Sequence, residues 1–378
     1  MGAITENEWR YNQLIKRFPS EAEPPFEEEE QQKRWWGRRW GCTNDVGRLR
    51  TVLMHRPGEE VSIVDTSMRL DMNAFGDEQR GWYWRGDVGP DLAGMQRQHD
   101  AYAEALRAEG VEVVYLDEIA PGKMKSCYTR DAVVGVGGGA MVMRLGPRIR
   151  RGEELGATRT LARLGCPILR TISGSGIAEG GSFAWLNSRT AVLGLSSRVN
   201  EEGARQIEEV MRSQGVELIK VHLTGYRLHI DGLFVMVAPD LALANITLLP
   251  FWFIERLKEM KISLIEIGPD DDGAIINSLA IAPGRVMMPT DILRIDEAQS
   301  MDASAILKLS TITGSAMSRV VFQSFIACSS KVALGTGLRR TACNTAASAI
   351  SPFSFCMYRN ASCCGSERRY SRISRSRK

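Results

Sequence analysis

Short apolar runs alternate with amphipathic stretches along most of this chain, and the order in which they come repeats. Residues 51–54 form a continuous apolar run of strand type, closed by Arg56-Pro57-Gly58. Residues 99–108 have helical spacing, end at Glu109-Gly110 and lead into a strand-like run at 111–116. The same order returns at 201–212, Gly215 and 216–221, and again where 253–260 feeds 262–267. A short helix feeding a short strand several times over predicts repeated α/β modules. Further strand-like runs occupy 132–136 and 183–186. The Gly137-Gly138-Gly139 run between strands reads as a turn, because no Lys-Ser or Lys-Thr follows to make it a phosphate loop.

A chain of 378 residues with 44% hydrophobic residues can bury a substantial core. The net charge of +3 hides an asymmetry: from Met301 onward the only acids are Asp302 and Glu367, while Arg and Lys accumulate. The first 32 residues combine Pro24-Pro25 with the acidic run 27–30, a composition predicted to lie loosely over the surface. Trp35, Trp36 and Trp40 then interleave with Lys33, Arg34, Arg38 and Arg39. This patch is too short and too well balanced by the preceding glutamates for specific nucleic-acid binding, and is expected to pack on the domain or on a partner subunit. The cysteines lack metal-ligand spacing, so no zinc or other metal and no cofactor is expected. The longest apolar run, 241–254, is broken by Pro250 and too short to span a bilayer. With no secretory signal in the acidic opening, a soluble cytoplasmic protein with reduced thiols is expected.

Three segments carry candidate chemistry. Arg227 to Gly232 reads Arg-Leu-His-Ile-Asp-Gly, which predicts a strand end sending His229 and Asp231 to one face. Tyr128-Thr129-Arg130-Asp131 and Glu179-Gly180-Gly181-Ser182 each put a carboxylate beside an apolar run. Acids are seldom buried without partners, so three of them and one imidazole at such boundaries predict a shared acidic pocket for a cationic ligand. The other histidines receive structural readings: His99 on a polar helix surface, His222 at a strand end, and His55 without a role.

In this order, Thr-Arg-Asp, Glu-Gly-Gly and His-x-Asp resemble the guanidine-modifying enzymes: arginine deiminases, dimethylarginine dimethylaminohydrolases and arginine:glycine amidinotransferases. The resemblance runs from about Gly41 to about Pro289 and takes in Asn44-Asp45-Val46-Gly47-Arg48-Leu49 and Asn277-Ser278-Leu279-Ala280-Ile281. It implies a five-bladed, pseudo-symmetric α/β propeller, the pentein fold, around a central substrate tunnel. The implied organisation is an N-terminal extension at 1–40, the propeller domain at 41–320 and an aberrant basic tail at 321–378. A small guanidino substrate is implied as the partner, with no membrane contact and a homo-oligomer left open. Asp131 and Asp231 match the family's guanidinium-binding acids, His229 its proton shuttle, and Glu179 the acid paired with that imidazole.

The family's nucleophile is a cysteine in a Gly-Gly-x-His-Cys type of segment at the end of the last module. Here the counterpart is Gly314-Ser315-Ala316-Met317-Ser318-Arg319, with Ser318 and Arg319 where His and Cys belong. Cys328, nine residues on, is a weak replacement in an apolar stretch. Beyond about Asp291 the helix-strand alternation fades into a Ser, Arg, Ala and Cys mixture. Translation in a shifted frame is the preferred reading of that change and would remove the last module together with its thiol; a genuinely divergent tail is the alternative. The implied activity is an amidinohydrolase or deiminase working through a covalent Cys-amidino intermediate, inactive in this chain. An amidinotransferase and a non-catalytic guanidino-ligand binder are the alternatives. Arg319 is expected to turn away from the pocket or to plug it by pairing with Asp131 or Asp231.

Overall fold

The computed structural model describes residues 2–70, 73–267 and 278–289, together with two short strands at 319–322 and 332–334. The opening is more ordered than its composition predicts. Helix α1 (Glu6–Arg10) starts in a capping box made by Thr5 and Glu8 and widens into a π-helical turn over Tyr11–Arg17, but neither piece buries a residue. Helix α2 (Glu29–Trp36) follows. Of the three tryptophans, Trp40 is buried against the domain, whereas Trp35 and Trp36 lie exposed on a helix with a single buried residue, Gln32.

Strand β1 (Leu49–Met54) begins the body of the fold, and a separate small antiparallel sheet of β2 (Arg69–Leu70), β3 (Ala74–Asp77) and β4 (Trp82–Arg85) follows it in sequence. Helix α3 (Leu92–Ala108) returns the chain to β5 (Glu112–Tyr115), which pairs parallel with β1. After the single helical turn α4 (Thr129–Ala132) come three complete modules. In the first, β6 (Val133–Val136) and β7 (Gly139–Val142) form a hairpin, and α5 (Glu153–Leu164) crosses to β8 (Ile168–Thr171). The second is β9 (Phe183–Asn187), β10 (Thr190–Leu195), α6 (Glu201–Ser213) and β11 (Glu217–His222). The third is β12 (Phe234–Ala238), β13 (Leu241–Ala244), α7 (Phe251–Glu259) and β14 (Ser263–Glu266). In each, the first two strands pair antiparallel and the third joins parallel.

One stop signal ends all four long crossing helices. A residue with positive φ (Gly110, Gly165, Gly215, Lys261) follows each helix. The next amide then donates back to a carbonyl five residues earlier: Val111 to Leu106, Cys166 to Leu161, Val216 to Met211 and Ile262 to Leu257, at 2.9–3.0 Å. Both members of every pair are buried, which is the hydrophobic contact that accompanies a Schellman cap. This is why each helix turns directly into a strand.

The remaining strands are β15 (Leu279–Ala282), β16 (Arg285–Pro289), β17 (Arg319–Phe322) and β18 (Val332–Leu334). They depart from the module rule. β17 joins β1 parallel where a first strand is antiparallel elsewhere, and β18 joins β16 antiparallel where a third strand is parallel elsewhere. The hydrophobic clusters link neighbouring sheets. Leu53 packs with Val133 and Val142, Val134 with Phe183 and Leu193, Val192 with Phe234, and Leu49 and Val52 with Leu279 and Met287. Val286 of β16 packs against the third module.

The structure corrects the reading of His99. It is only 3% exposed, because α3 starts at Leu92 and its buried stripe is His99, Tyr102, Ala103 and Leu106. Burial drives its pKa down to about 4, so the ring packs beside Tyr115 as a neutral group. The long apolar run at 241–254 divides into β13 and α7, and among the described residues no helix is long and apolar enough to cross a membrane.

Candidate active site

Three equivalent turns build the site. Each complete module opens with a short helical turn before its first strand: α4 before β6, Gly180–Ser182 before β9, and Ile230–Gly232 before β12. The first turn carries Asp131, the second is preceded by Glu179, and the third is flanked by His229 and contains Asp231. The expected strand end at 229–231 is therefore an extended residue entering a 3-10 turn. Ile230 points into the core with no exposed surface, which leaves its polar neighbours to the cavity.

The four predicted residues converge. His229 Nε2 lies 2.7 Å from Glu179 Oε2 and 3.9 Å from Asp131 Oδ1. Gly181 forms the floor between them. A Cβ placed there would sit 2.8 Å from Asp131 Oδ1 and 2.9 Å from both Asp231 Oδ2 and His229 Nδ1, so only glycine fits. Its backbone N–H also donates to Asp131 Oδ1 at 3.0 Å. Glu179 has no exposed surface and accepts from the Gly146 amide and from Arg198 through its other oxygen. His229 and Asp231 keep 20% and 23% of their side-chain surface, so a ligand meets them first.

Sequence reasoning missed the cations. Arg150 is buried and donates to Asp131 Oδ2 at 2.6 Å, while its Nε and other terminal nitrogen hold Glu153. Arg130 reaches Asp231, and Arg198 reaches Glu179. The pocket is thus charge-matched rather than simply acidic: Asp131, Glu153, Glu179 and Asp231 face Arg130, Arg150, Arg198 and the His229 imidazole. A signal was present in the spacing, since Arg150 follows Asp131, and Arg198 follows Glu179, by the same 19 residues.

The titration behaviour follows from this packing. Burial works against a charged His229, but Asp131, the hydrogen bond to Glu179 and Asp231 outweigh it and raise the ring to about 9. Burial also opposes ionisation of Asp131 and Glu179; the charges of His229 and Arg150 reverse that for Asp131, and the His229 hydrogen bond leads the reversal for Glu179, so both end below the usual carboxylate range. Asp231 is pushed up by burial, which His229 and Arg130 only partly offset. Burial lifts Glu153 to about 7 even though Arg150 grips it through two nitrogens. Asp131, Glu179 and His229 offer ligand atoms within 4.8 Å of one another, a spacing a metal ion accepts. Arg150, 2.6 Å from Asp131 and 3.8 Å from Glu179, stands where such an ion would be repelled.

Among the described residues no thiol replaces the expected nucleophile. Cys42, Cys127 and Cys166 are buried. Burial pushes the Cys127 and Cys166 thiols up to about 12, far from the thiolate a nucleophile needs. Ser318, Cys328 and the side chain of Arg319 lie outside the described residues.

Comparison with known proteins finds likenesses in the same direction as the motifs. The model of N,N dimethylarginine dimethylhydrolase, eukaryotic, matches residues 92–276. Arginine deiminase from Clostridium perfringens is 40% identical over 83 residues, covering 22% of this chain and 17% of that protein. The Streptococcus pneumoniae enzyme is 36% identical over 93 residues, covering 24% and 19%. The matched stretch thus spans less than a fifth of these curated relatives. Among solved structures, DDAH from Pseudomonas aeruginosa complexed with citrulline superposes with a TM-score of 0.52 at 24% identity, over 73% of this chain and 92% of that one. A Microseira wollei amidinotransferase of the saxitoxin biosynthetic pathway gives 0.52 at 13% identity, over 80% and 99%. Inosamine-phosphate amidinotransferase from Streptomyces griseus gives 0.51 at 15%, over 70% and 89%. These likenesses show a shared mixed α/β fold. The family model over residues 92–276 and the short arginine deiminase similarities agree with the motifs in their likeness to the guanidine-modifying superfamily, which includes arginine deiminases and dimethylarginine hydrolases.

Proposed function

We propose that this chain holds a guanidino ligand, arginine or a methylated arginine, between Asp131 and Asp231, with His229 and Glu179 as the proton-handling pair. The observation that carries the reading is the convergence of all four around the Gly181 floor. A planar, permanently charged guanidinium suits paired carboxylates. An imidazole held protonated at neutral pH suits the departing amine, which must gain a proton as its C–N bond breaks. In an intact chain a thiolate would attack the central guanidinium carbon, His229 would protonate the amine that leaves, and water, giving a proton back to His229, would release the thiol and a ureido product. Hydrolysis is therefore the reaction proposed for the intact form.

The printed chain keeps the binding half of this machinery. The modules follow one another as blades: the hydrophobic clusters lead from β1 through the three complete modules to β15 and β16 and back to β1, which supports a five-bladed propeller over 41–320. In sequence, the residue that precedes β17 is Ser318. The reversed pairing senses of β17 and β18 accord with a tail at 321–378 that does not carry the native last module. Calorimetry tests the binding reading: L-arginine should bind the printed chain, and the Asp131→Ala, Asp231→Ala double variant should bind at least tenfold more weakly. Equal affinities reject the pocket. No citrulline should form from arginine with the printed chain. Reading the alternate frames after about codon 290 should reveal a Gly-rich segment with His and Cys; in a corrected chain, adding glycine separates transfer from hydrolysis.

A further inference from the structure

We propose that Arg130 is the positioning residue of the guanidinium subsite, fixing the Asp231 carboxylate so that one of its oxygens is left for the ligand. The inference rests on the guanidine-binding reading above. Arg130 spans three modules. From α4 its Nε donates to Asp231 Oδ2 at 3.2 Å, and its terminal nitrogen donates to the Phe183 carbonyl, the first residue of β9, at 2.6 Å. With its terminal nitrogen anchored on the Phe183 carbonyl, the planar group holds Nε in a fixed place against Oδ2, which lysine, a single point charge, cannot do. Oδ2 is enclosed further by the Gly181 floor. Among the described residues Oδ1 accepts no hydrogen bond, although Asp231 is the most exposed acid of the cluster.

The charge on Arg130 matters as well as its shape. Asp231 is half-buried beside Asp131, and its partial desolvation favours the neutral form, while His229 and Arg130 favour the carboxylate. Without Arg130 the group takes up a proton closer to neutrality, and a neutral carboxyl holds a guanidinium poorly. The clamp therefore serves both the direction and the ionisation of the ligand's seat.

The test uses the full chain with L-arginine as probe. Relative to wild type, Arg130→Gln should weaken binding tenfold or more at pH 6 and by less at pH 8.5, and Arg130→Lys should restore the pH 6 affinity only in part. In parallel, the Asp231 carboxyl carbon, assigned by its loss in Asp231→Asn, should titrate at higher pH in Arg130→Gln with or without ligand. An unmoved Asp231 titration in a folded Arg130→Gln variant overturns the clamp, as does wild-type affinity at both pH values. A shifted titration together with no L-arginine binding by wild type upholds the clamp and rejects the guanidine reading instead. If Arg130→Gln does not fold, the Lys variant decides: full wild-type affinity at pH 6 overturns the proposal, because the fork would then be dispensable.

Discussion

Replacing Glu179 by Gln should uncouple the proton on His229 from neutral pH. The imidazole stands at about 9, against 6.5 for a free ring, despite burial that works the other way. Glu179 contributes to that rise twice, through the 2.7 Å hydrogen bond and through its charge, whereas Asp131 and Asp231 contribute through charge alone. Glutamine removes both contributions and leaves Arg150 and Arg198 less well compensated beside the ring. A fall of one to two pH units is expected, or about 1.4–2.7 kcal/mol of preference for the charged form. At pH 7.5 the ring would go from about 97% protonated to between about a quarter and three-quarters. The chain has four histidines, so ring NMR resolves the titration, with His229 assigned by substitution. Stability gives a second reading. A raised imidazole pKa stabilises the fold fully below about 6.5, and that stabilisation is lost as pH climbs through about 9, a change on the order of 3 kcal/mol in wild type. The Gln variant should lose it at lower pH and lose less. A His229 midpoint that stays within half a unit of wild type would mean the Glu179 contact does not set the charge, and the proton-handling role assigned to the pair would fall with it.

Three more outcomes follow from the geometry. Gly181→Ala forces a methyl within 3 Å of three site atoms, so L-arginine binding should disappear in calorimetry, with about 1–3 kcal/mol of stability lost in a denaturant melt; unchanged affinity would disprove the floor. Arg150→Met strands Asp131 and Glu153 without their shared cation and should cost about 3–5 kcal/mol in the same melt, far more than loss of any exposed ion pair such as Arg256–Glu217. Lys261→Gly should stabilise by about 0.5–1 kcal/mol, since Lys261 alone among the four helix stops adopts positive φ with a side chain; a loss of stability would show that its stem packs usefully.

The module rhythm was legible because it rests on local chemistry. Gly110 and Gly215 end helices for a reason visible in sequence, and the fourth stop, at Lys261, was caught only as a helix-to-strand change because its residue type hides the backbone angle. His99 was misread because the helix begins seven residues earlier than its polar neighbours suggest, which rotates the ring onto the buried stripe. The site's acids could be found because motif and strand boundary coincide. Their counter-charges could not: Arg150 lies in the Arg148-Ile149-Arg150-Arg151 run, where nothing local separates a buried guanidinium from exposed ones, and Arg130 meets Asp231 across 101 residues. Pairing across modules is a property of packing, and a one-dimensional pattern carries it only as the repeated 19-residue spacing.

The charge balance has a consequence for ligand binding. Four carboxyl groups, one of them Glu153 with its pKa at about 7, already face three guanidiniums and an imidazole that carries its proton at neutral pH. An entering guanidinium brings a further positive charge, and the buried arginines cannot give up theirs, so the groups able to compensate are His229, by losing its proton, and Glu153, which burial holds at about 7 and which a nearby cation ionises further. A cation settling beside the ring lowers its pKa from about 9, and binding at pH 8 should therefore release a fraction of a proton. The expected result is an L-arginine affinity that rises with pH between about 7 and 9, with a slope of no more than one proton. Calorimetry in buffers of different ionisation enthalpy measures the release directly. If the affinity is flat over that range and the heat is independent of buffer, the ligand does not approach His229, and the seat between Asp131 and Asp231 is not where it binds. A His229→Gln variant separates the two groups: the release that disappears in it belongs to His229, and any that remains near pH 7 belongs to Glu153.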